Sequence, residues 1–224
     1  MKKAFTLAEV LITLVVIGIV AAITINIIFN NQEEAYRSGL KKCSSVLQQA
    51  FRNAALDNGG FIPLSYDKNS NDNIKQITPA IFNRYMKVGK NCGEVSCNRG
   101  KKIEIKNLTG TATFSNIDSY TTYPSAVILQ DGTFYNVTSL SASPETKTID
   151  SVNIIVDVNG IFKGPNRLGK DVFYLKYDVT NDKLRPGGSF NGHFQLDLCD
   201  KSSTNVWNGA GCAARVLRGE KLPR

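Results

Sequence analysis

The chain has 224 residues, 42% of them hydrophobic and 21% charged, with five cysteines, one histidine and a formal net charge of +8. That is enough for one domain of ordinary size with a respectable core. A lone histidine and the lack of any Walker-type or dinucleotide-type glycine motif leave no catalytic constellation to select, so a non-enzyme is expected. The cations are interspersed with Asp and Glu, which reads as solubility; binding to DNA, anionic lipid or an acidic glycan is the competing reading.

The first element is apolar. From Val10 to Phe29 no side chain is charged, and about 20 helical residues at ~1.5 Å each cross the hydrocarbon core of a bilayer. Lys2 and Lys3 precede the run and no basic residue follows closely. By the cytoplasmic excess of Lys and Arg, the N-terminus lies inside and everything after Phe29 outside. An ordinary secretory signal would have a shorter apolar region, about 7–15 residues, and then a small-x-small cleavage site. Here the run continues past Ala21-Ala22 through Ile23, Ile25, Ile27, Ile28 and Phe29. Glu9 is out of place in such a segment. A lone charge costs roughly 2.5–3.5 kcal/mol at mid-bilayer and less toward the interface, so it calls for a partner.

Behind the short basic leader, Ala4-Phe5-Thr6-Leu7-Ala8-Glu9-Val10-Leu11-Ile12 resembles the class III signal of type IV pilins and type II secretion pseudopilins. The resemblance implies a prepilin peptidase cut between Ala4 and Phe5, N-methylation of the new terminus at Phe5, and a helix retained as a filament-forming stem. Ala4 stands where the family usually has Gly, and Asn26 where it often has Pro. With Lys2 and Lys3 removed, 25 basic side chains would face 19 acidic ones, a charge of +6. Glu9 would then serve assembly. The new amine of one subunit is a cation in an apolar setting, and a carboxylate at matching depth on a neighbour neutralises it and fixes the register.

The helix does not stop at the membrane face. Beyond Asn30-Asn31-Gln32-Glu33-Glu34, residues Tyr36, Leu40, Cys43, Leu47, Ala50 and Ala54 recur at intervals of mostly three or four, and Asp57-Asn58-Gly59-Gly60 supplies a stop. One helix from about Phe5 to Leu56 would be ~75–80 Å long. The organisation expected is therefore a leader at 1–4, a membrane and filament-core half of the stem at 5–29, an amphipathic half at 30–57, and a head at 58–224.

In the head, Thr78 to Met86 reads as a short helix with Thr78 as cap and Pro79 in the first turn, and Lys101 to Lys106 as a short strand. Asp131-Gly132 between Ala126–Leu129 and Thr133–Val137 predicts a hairpin. Val152–Val158 and Val172–Tyr177 follow as strands, with Asn181-Asp182-Lys183 turning the chain toward Leu184. Phe194–Leu198 and Ala214–Leu217 are expected as further short strands. One long helix packed on a C-terminal antiparallel sheet is an α+β, pilin-like fold.

Cysteines in an exported domain read as disulfides. Cys92 with Cys97 and Cys199 with Cys212 is the preferred scheme. With one left free about fifteen schemes exist, and Cys43 with Cys92 or Cys97 stays open. No Cys-x-x-Cys spacing supports zinc, and His193 reads as a strand or loop residue. The stretch Asp157 to Asp171 is rich in hard oxygen ligands and glycines; some pseudopilins resemble it in carrying a calcium loop late in the sheet. Asp157, Asn159 and Asp171 would be the ligands, against a plain turn in which the same residues serve the backbone. The loop closed by Cys199 and Cys212 resembles the one pilins expose for adhesion or partner recognition, and its Trp207 either faces outward or plugs the loop.

The partners implied are other pilin or pseudopilin subunits, prepilin peptidase, the bacterial inner membrane and an assembly platform. The subunit would sit in that membrane with its head in the periplasm before extrusion as a filament. Two further readings stay open: a minor pilin that binds DNA or a surface ligand through its basic head, and a signal-anchored periplasmic enzyme or binding protein.

Overall fold

The computed structural model describes residues 6–66, 70–93, 97–98, 100–116, 125–143, 145–190 and 196–220. It divides into two compact units, Met1–Ala35 and Tyr36–Arg224. The main helix, α1, runs Leu7–Asp57.

In the second unit the helix buries one stripe. Leu40, Cys43, Leu47, Ala50, Phe51 and Ala54 are all but inaccessible to solvent and share one core with Tyr135, Val137, Val152, Ile154, Val156, Phe173, Leu175 and Tyr177 of the sheet. The spacing of three and four residues puts them on one helix face, while Lys41, Arg52 and Asn53 stay exposed. Phe51 stacks on Tyr177 with ring centroids 4.1 Å apart and 17° between planes. Polar contacts fix the helix along its axis. Gln48 donates to the Asp182 carbonyl at 3.2 Å and accepts from the Leu184 N–H at 2.6 Å, and Lys42 reaches Asp131 at 2.6 Å. That ion pair is exposed and contributes little to stability by itself.

After α1 come α2 (Ser70–Lys75), a π-turn at Thr78–Phe82 and α3 (Asn83–Tyr85). The strands are β1 (Val88–Asn91), β2 (Glu104–Lys106), β3 (Thr113–Asn116), β4 (Val127–Leu129), β5 (Phe134–Ser143), β6 (Thr148–Asp157), β7 (Val172–Asp178) and β8 (Lys183–Pro186). Six of them form a sheet in the order β1-β4-β5-β6-β7-β8, and β2 and β3 form a separate pair. All these pairings are antiparallel. A long helix with a six-stranded antiparallel sheet is the α+β layout expected from the sequence, and it fits a pilin-like fold.

The sheet is covered twice. Alternation along β6 sends Val152, Ile154 and Val156 to the helix and Ile155 to a second core, which includes Phe134, Val172, Tyr174, Ile105, Leu168 and Ala210. Ser151 to Asp157 is consequently buried at every position, which explains the unbroken apolar run Ile154-Ile155-Val156 in place of a polar-apolar rhythm. The β2–β3 pair and the C-terminal loops lie over that second face.

Three expectations need correction. Thr78 does not cap a helix: its hydroxyl is buried without a partner, Ile77 occupies the cap position, and the turn that follows is of π type. Leu196–Leu198 is a 3₁₀ turn rather than a strand, and Phe194, Gln195 and His193 lie outside the described residues. Ala213–Arg218 is a helix, α4. Ala, Arg and Leu are strong helix formers, and Gly219 closes the helix at φ 80°, where a Cβ would be strained. Two apolar neighbours, Val216 and Leu217, do not outweigh that.

Phe51→Ala should destabilise the second unit by about 3–5 kcal/mol, because it empties a site between helix and sheet. Leu56→Ala, at a residue 71% exposed, should change stability by under about 0.5 kcal/mol. Chemical denaturation followed by circular dichroism measures both, and equal costs would refute the assigned helix face.

Candidate functional site

The first unit begins with a reciprocal cap. Thr6 precedes α1, and its N–H and hydroxyl both donate to Glu9 Oε2, at 2.9 and 2.7 Å. The Glu9 N–H in turn donates to Thr6 Oγ1 at 3.3 Å. Thr-x-x-Glu is the sequence form of this capping box, which satisfies helix-end donors that would otherwise lack partners. The Glu9 carboxylate thus sits on the helix N-terminus, where the macrodipole favours negative charge. Thr13 is also satisfied locally, through its hydroxyl to the Val10 carbonyl at 2.8 Å.

The apolar side chains around and beyond Glu9 are exposed. Leu7, Val10, Leu11, Ile12, Leu14, Val15, Val16, Ile17, Ile19, Val20 and Ile23 are between 45% and 81% exposed. They point in every direction around the helix, so no single groove could cover them; such a helix is stable when surrounded by lipid or by other helices. Among the described residues no helix is long and apolar enough to cross a membrane. The expected span Val10–Phe29 includes residues 24–29, whose side chains fall outside that description. Ala4 and Phe5, the expected cleavage pair, also lie outside the described residues.

A second set of candidate residues meets at the far end of β6. Asp157 and Asp171 are both fully buried. Asp157 Oδ1 accepts from the N–H groups of Gly160 (2.8 Å) and Asn159 (3.2 Å), and Asp171 accepts from those of Asn166 and Arg167, both at 2.8 Å. Burial, and then the charge of Asp171, push Asp157 well above the ordinary carboxylate range. Burial raises Asp171 too; what pulls it back is hydrogen-bond donors, chiefly the N–H groups of Arg167 and Asn166. Three oxygens here are buried without a partner: Asp157 Oδ2, Asn159 Oδ1 and Asn166 Oδ1. Two carboxylates and two amides supply hard oxygen, the chemistry a calcium ion takes. Among the described residues no group of three or more His, Cys, Asp or Glu could hold a metal, so a site here would need the amides. Asn166 was not singled out from the sequence. Its cue was a place between Pro165 and Arg167 in a ligand-rich loop, and its left-handed backbone (φ 51°) is what brings its side chain in.

The cysteines form two disulfides, Cys92–Cys97 and Cys199–Cys212, and Cys43 is free and buried. The second disulfide closes a loop held by two fully buried amides, Asn107 and Asn208. Asn107 donates to the carbonyls of Thr204 (3.4 Å) and Asn205 (3.1 Å). Asn208 donates to those of Asp200 (2.7 Å) and Ser203 (2.8 Å). Trp207 meets both alternatives halfway. Its ring sits edge-on to Phe114, 4.7 Å between centroids, and it remains 40% exposed.

Residues 1–25 match the family model described as the prokaryotic N-terminal methylation motif, the class III prepilin signal of type IV pilins and pseudopilins. No curated protein and no solved structure matches the chain.

Burial pushes the Cys43 thiol up to about 11, so it should resist alkylation at pH 8. Intact mass should show no adduct on the native chain, one after unfolding without reductant, and five after reduction, since the chain has five cysteines. An adduct on the native protein would contradict the packing of Cys43 under the sheet.

Proposed function

We propose that the chain is a structural subunit of a type IV pilus-like or type II secretion pseudopilus filament. The observation that carries this reading is the methylation motif at residues 1–25, on a helix whose first turn holds a carboxylate and whose following turns are apolar all round. The prepilin peptidase cuts between Ala4 and Phe5, and the new amine at Phe5 is methylated. The subunit is held in the inner membrane by residues 5–29, with its head in the periplasm, until an assembly platform moves it into the filament.

Glu9 has two roles in this scheme. In the free subunit its charge rests on the Thr6 N–H and hydroxyl, so it does not lie uncompensated in lipid. In the filament it faces the terminal amine of a neighbour, and the pair permits one axial offset. Without a hydrophobic difference between lipid and helix bundle, packing and this pair supply the specificity.

A second reading concerns the same subunit. The three partnerless oxygens around Asp157 favour a calcium ion held by Asp157, Asn159, Asn166 and Asp171. The ion would supply the positive charge that two buried carboxylates lack and would tie the end of β6 to the start of β7.

Glu9→Leu should leave membrane insertion intact and cut incorporation into sheared filaments by about a hundredfold, the scale of removing one partner of a buried ion pair. Assembly at the wild-type level would sink the register role. The intact mass of the membrane form should lack residues 1–4 and carry one added methyl group; a mass retaining Met1 to Ala4 refutes the processing step.

For calcium, the melting temperature should rise on adding the ion and fall in chelator. Occupancy at a hundredfold over Kd corresponds to ~2.7 kcal/mol. Asp157→Asn should abolish the response, and no shift at millimolar calcium would exclude the site.

A further inference from the structure

Four Asn-Gly steps occur in the chain: Asn58-Gly59, Asn159-Gly160, Asn191-Gly192 and Asn208-Gly209. Asparagine is a labile residue, and a following glycine makes it more so, because no Cβ shields the glycine N–H. Once deprotonated, that nitrogen can attack the side-chain amide carbon of the asparagine and close a five-membered ring. In a folded chain two conditions decide the matter: the glycine N–H must be free to lose its proton, and the amide must be free to swing toward it. Asn191-Gly192 lies outside the described residues. The other three differ on both counts.

Asn208 is fully buried, and its amide is held from both ends: Nδ2 donates to the Asp200 and Ser203 carbonyls, and Oδ1 accepts from the Asp200 N–H at 3.0 Å. The Gly209 N–H donates to the Leu198 carbonyl at 2.7 Å. Asn159 is half-buried and donates to the Gly164 carbonyl at 3.2 Å. The buried Gly160 N–H donates to Asp157 Oδ1 at 2.8 Å, and a Cβ on Gly160 would collide with the Gly132 carbonyl. At both steps the attacking nitrogen is occupied and enclosed. Asn58 and Gly59, by contrast, are exposed. The Gly59 N–H reaches the Leu56 carbonyl only at 3.4 Å, beyond the usual range, and a Cβ on Gly59 or Gly60 would meet nothing within 4 Å. One bond restrains the amide, Asn58 Nδ2 to the Ala54 carbonyl at 2.7 Å. It lies at the end of α1, where local opening costs least.

We propose that Asn58 is a site of spontaneous deamidation, the first of these three to react. The Gly59 nitrogen gives its proton to hydroxide and forms a bond to Asn58 Cγ; the Cγ–Nδ2 bond breaks and ammonia leaves. Water then opens either carbonyl of the resulting succinimide, giving aspartate, or isoaspartate with one more carbon in the main chain. No electrons are exchanged and no enzyme is needed, so the reaction is independent of cleavage and filament assembly. Its consequence lies in the helix end. The donor to the Ala54 carbonyl is lost, and a carboxylate replaces it at the C-terminus of α1, where the macrodipole opposes negative charge. Asp57, whose Oδ2 accepts from the Tyr85 hydroxyl at 2.8 Å, stands next to it and adds like-charge repulsion. Deamidation therefore loosens the last turn of the stem helix.

The test is to incubate the full-length chain in detergent at mildly alkaline pH and to follow each Asn-Gly peptide by mass after proteolysis. The peptide holding Asn58 should gain the mass of an NH2-to-OH exchange at least about tenfold faster than those holding Asn159 and Asn208, the scale of one protecting hydrogen bond that must first open. In guanidinium chloride the three rates should converge, because the same dipeptide is then equally free in each. Asn58→Gln should remove the modification at this position, since the longer side chain closes a larger ring. Asn58→Asp, one of the two products made genetically, should melt at a lower temperature than the unmodified chain. The site is refuted if Asn58 stays intact in the folded chain while the unfolded chain reacts, if Asn159 or Asn208 reacts first, or if the ranking persists unchanged in guanidinium chloride. An unaltered melting temperature in Asn58→Asp would overturn the effect on the helix end.

Discussion

One helix carries two apolar patterns, and the rest of the structure answers to that difference. Around Leu7 to Ile23 every direction is apolar and exposed, whereas from Leu40 to Ala54 a single stripe is apolar and fully buried. The second pattern is met within the chain, by a sheet whose aromatic residues Tyr135, Phe173 and Tyr177 close over it. Among the described residues the side chains of the first stay exposed, and an apolar surface of that kind is stable only against lipid or other apolar surfaces.

The head buries the middle of its sheet on both sides. With α1 on one face and the β2–β3 pair and C-terminal loops on the other, Phe134–Val137, Ser151–Asp157 and Val172–Leu175 are buried at every position. One consequence is that polar groups at strand ends are trapped. Asp157 and Asp171 are such groups: each carboxylate is stabilised by main-chain donors, yet oxygens remain without partners. A buried acid with unmet hydrogen-bonding capacity is relieved by either a proton or a cation.

Much of this was legible in the residues. The period of the stem stripe, the Asp131-Gly132 hairpin and the strand runs each carry a local signal that tertiary structure did not override. Glu9 stood out because a carboxylate in an apolar run calls for a partner; the local partner, Thr6, was spelled in the Thr-x-x-Glu pattern and went unread. What could not be read was long-range. Asn107 gives no sign of bonding to Thr204 and Asn205, nearly a hundred residues away, and Phe114 none of meeting Trp207. Ala213–Arg218 misled because Val216 and Leu217 resemble a strand fragment, while the helix is decided by its neighbours and by the glycine that follows.

The two buried amides under the C-terminal loop hold it in an unusual way. Asn107 and Asn208 grip the carbonyls of Asp200, Ser203, Thr204 and Asn205, never their side chains. Main-chain oxygens are the same in every residue, so these four contacts do not depend on which side chains stand at Asp200, Ser203, Thr204 and Asn205. The turns within the loop do depend on them, through the Asp200 carboxylate, the Ser203 hydroxyl and the Asn205 amide: spelling shapes the fine structure of the segment, while its attachment to the head is made in main chain.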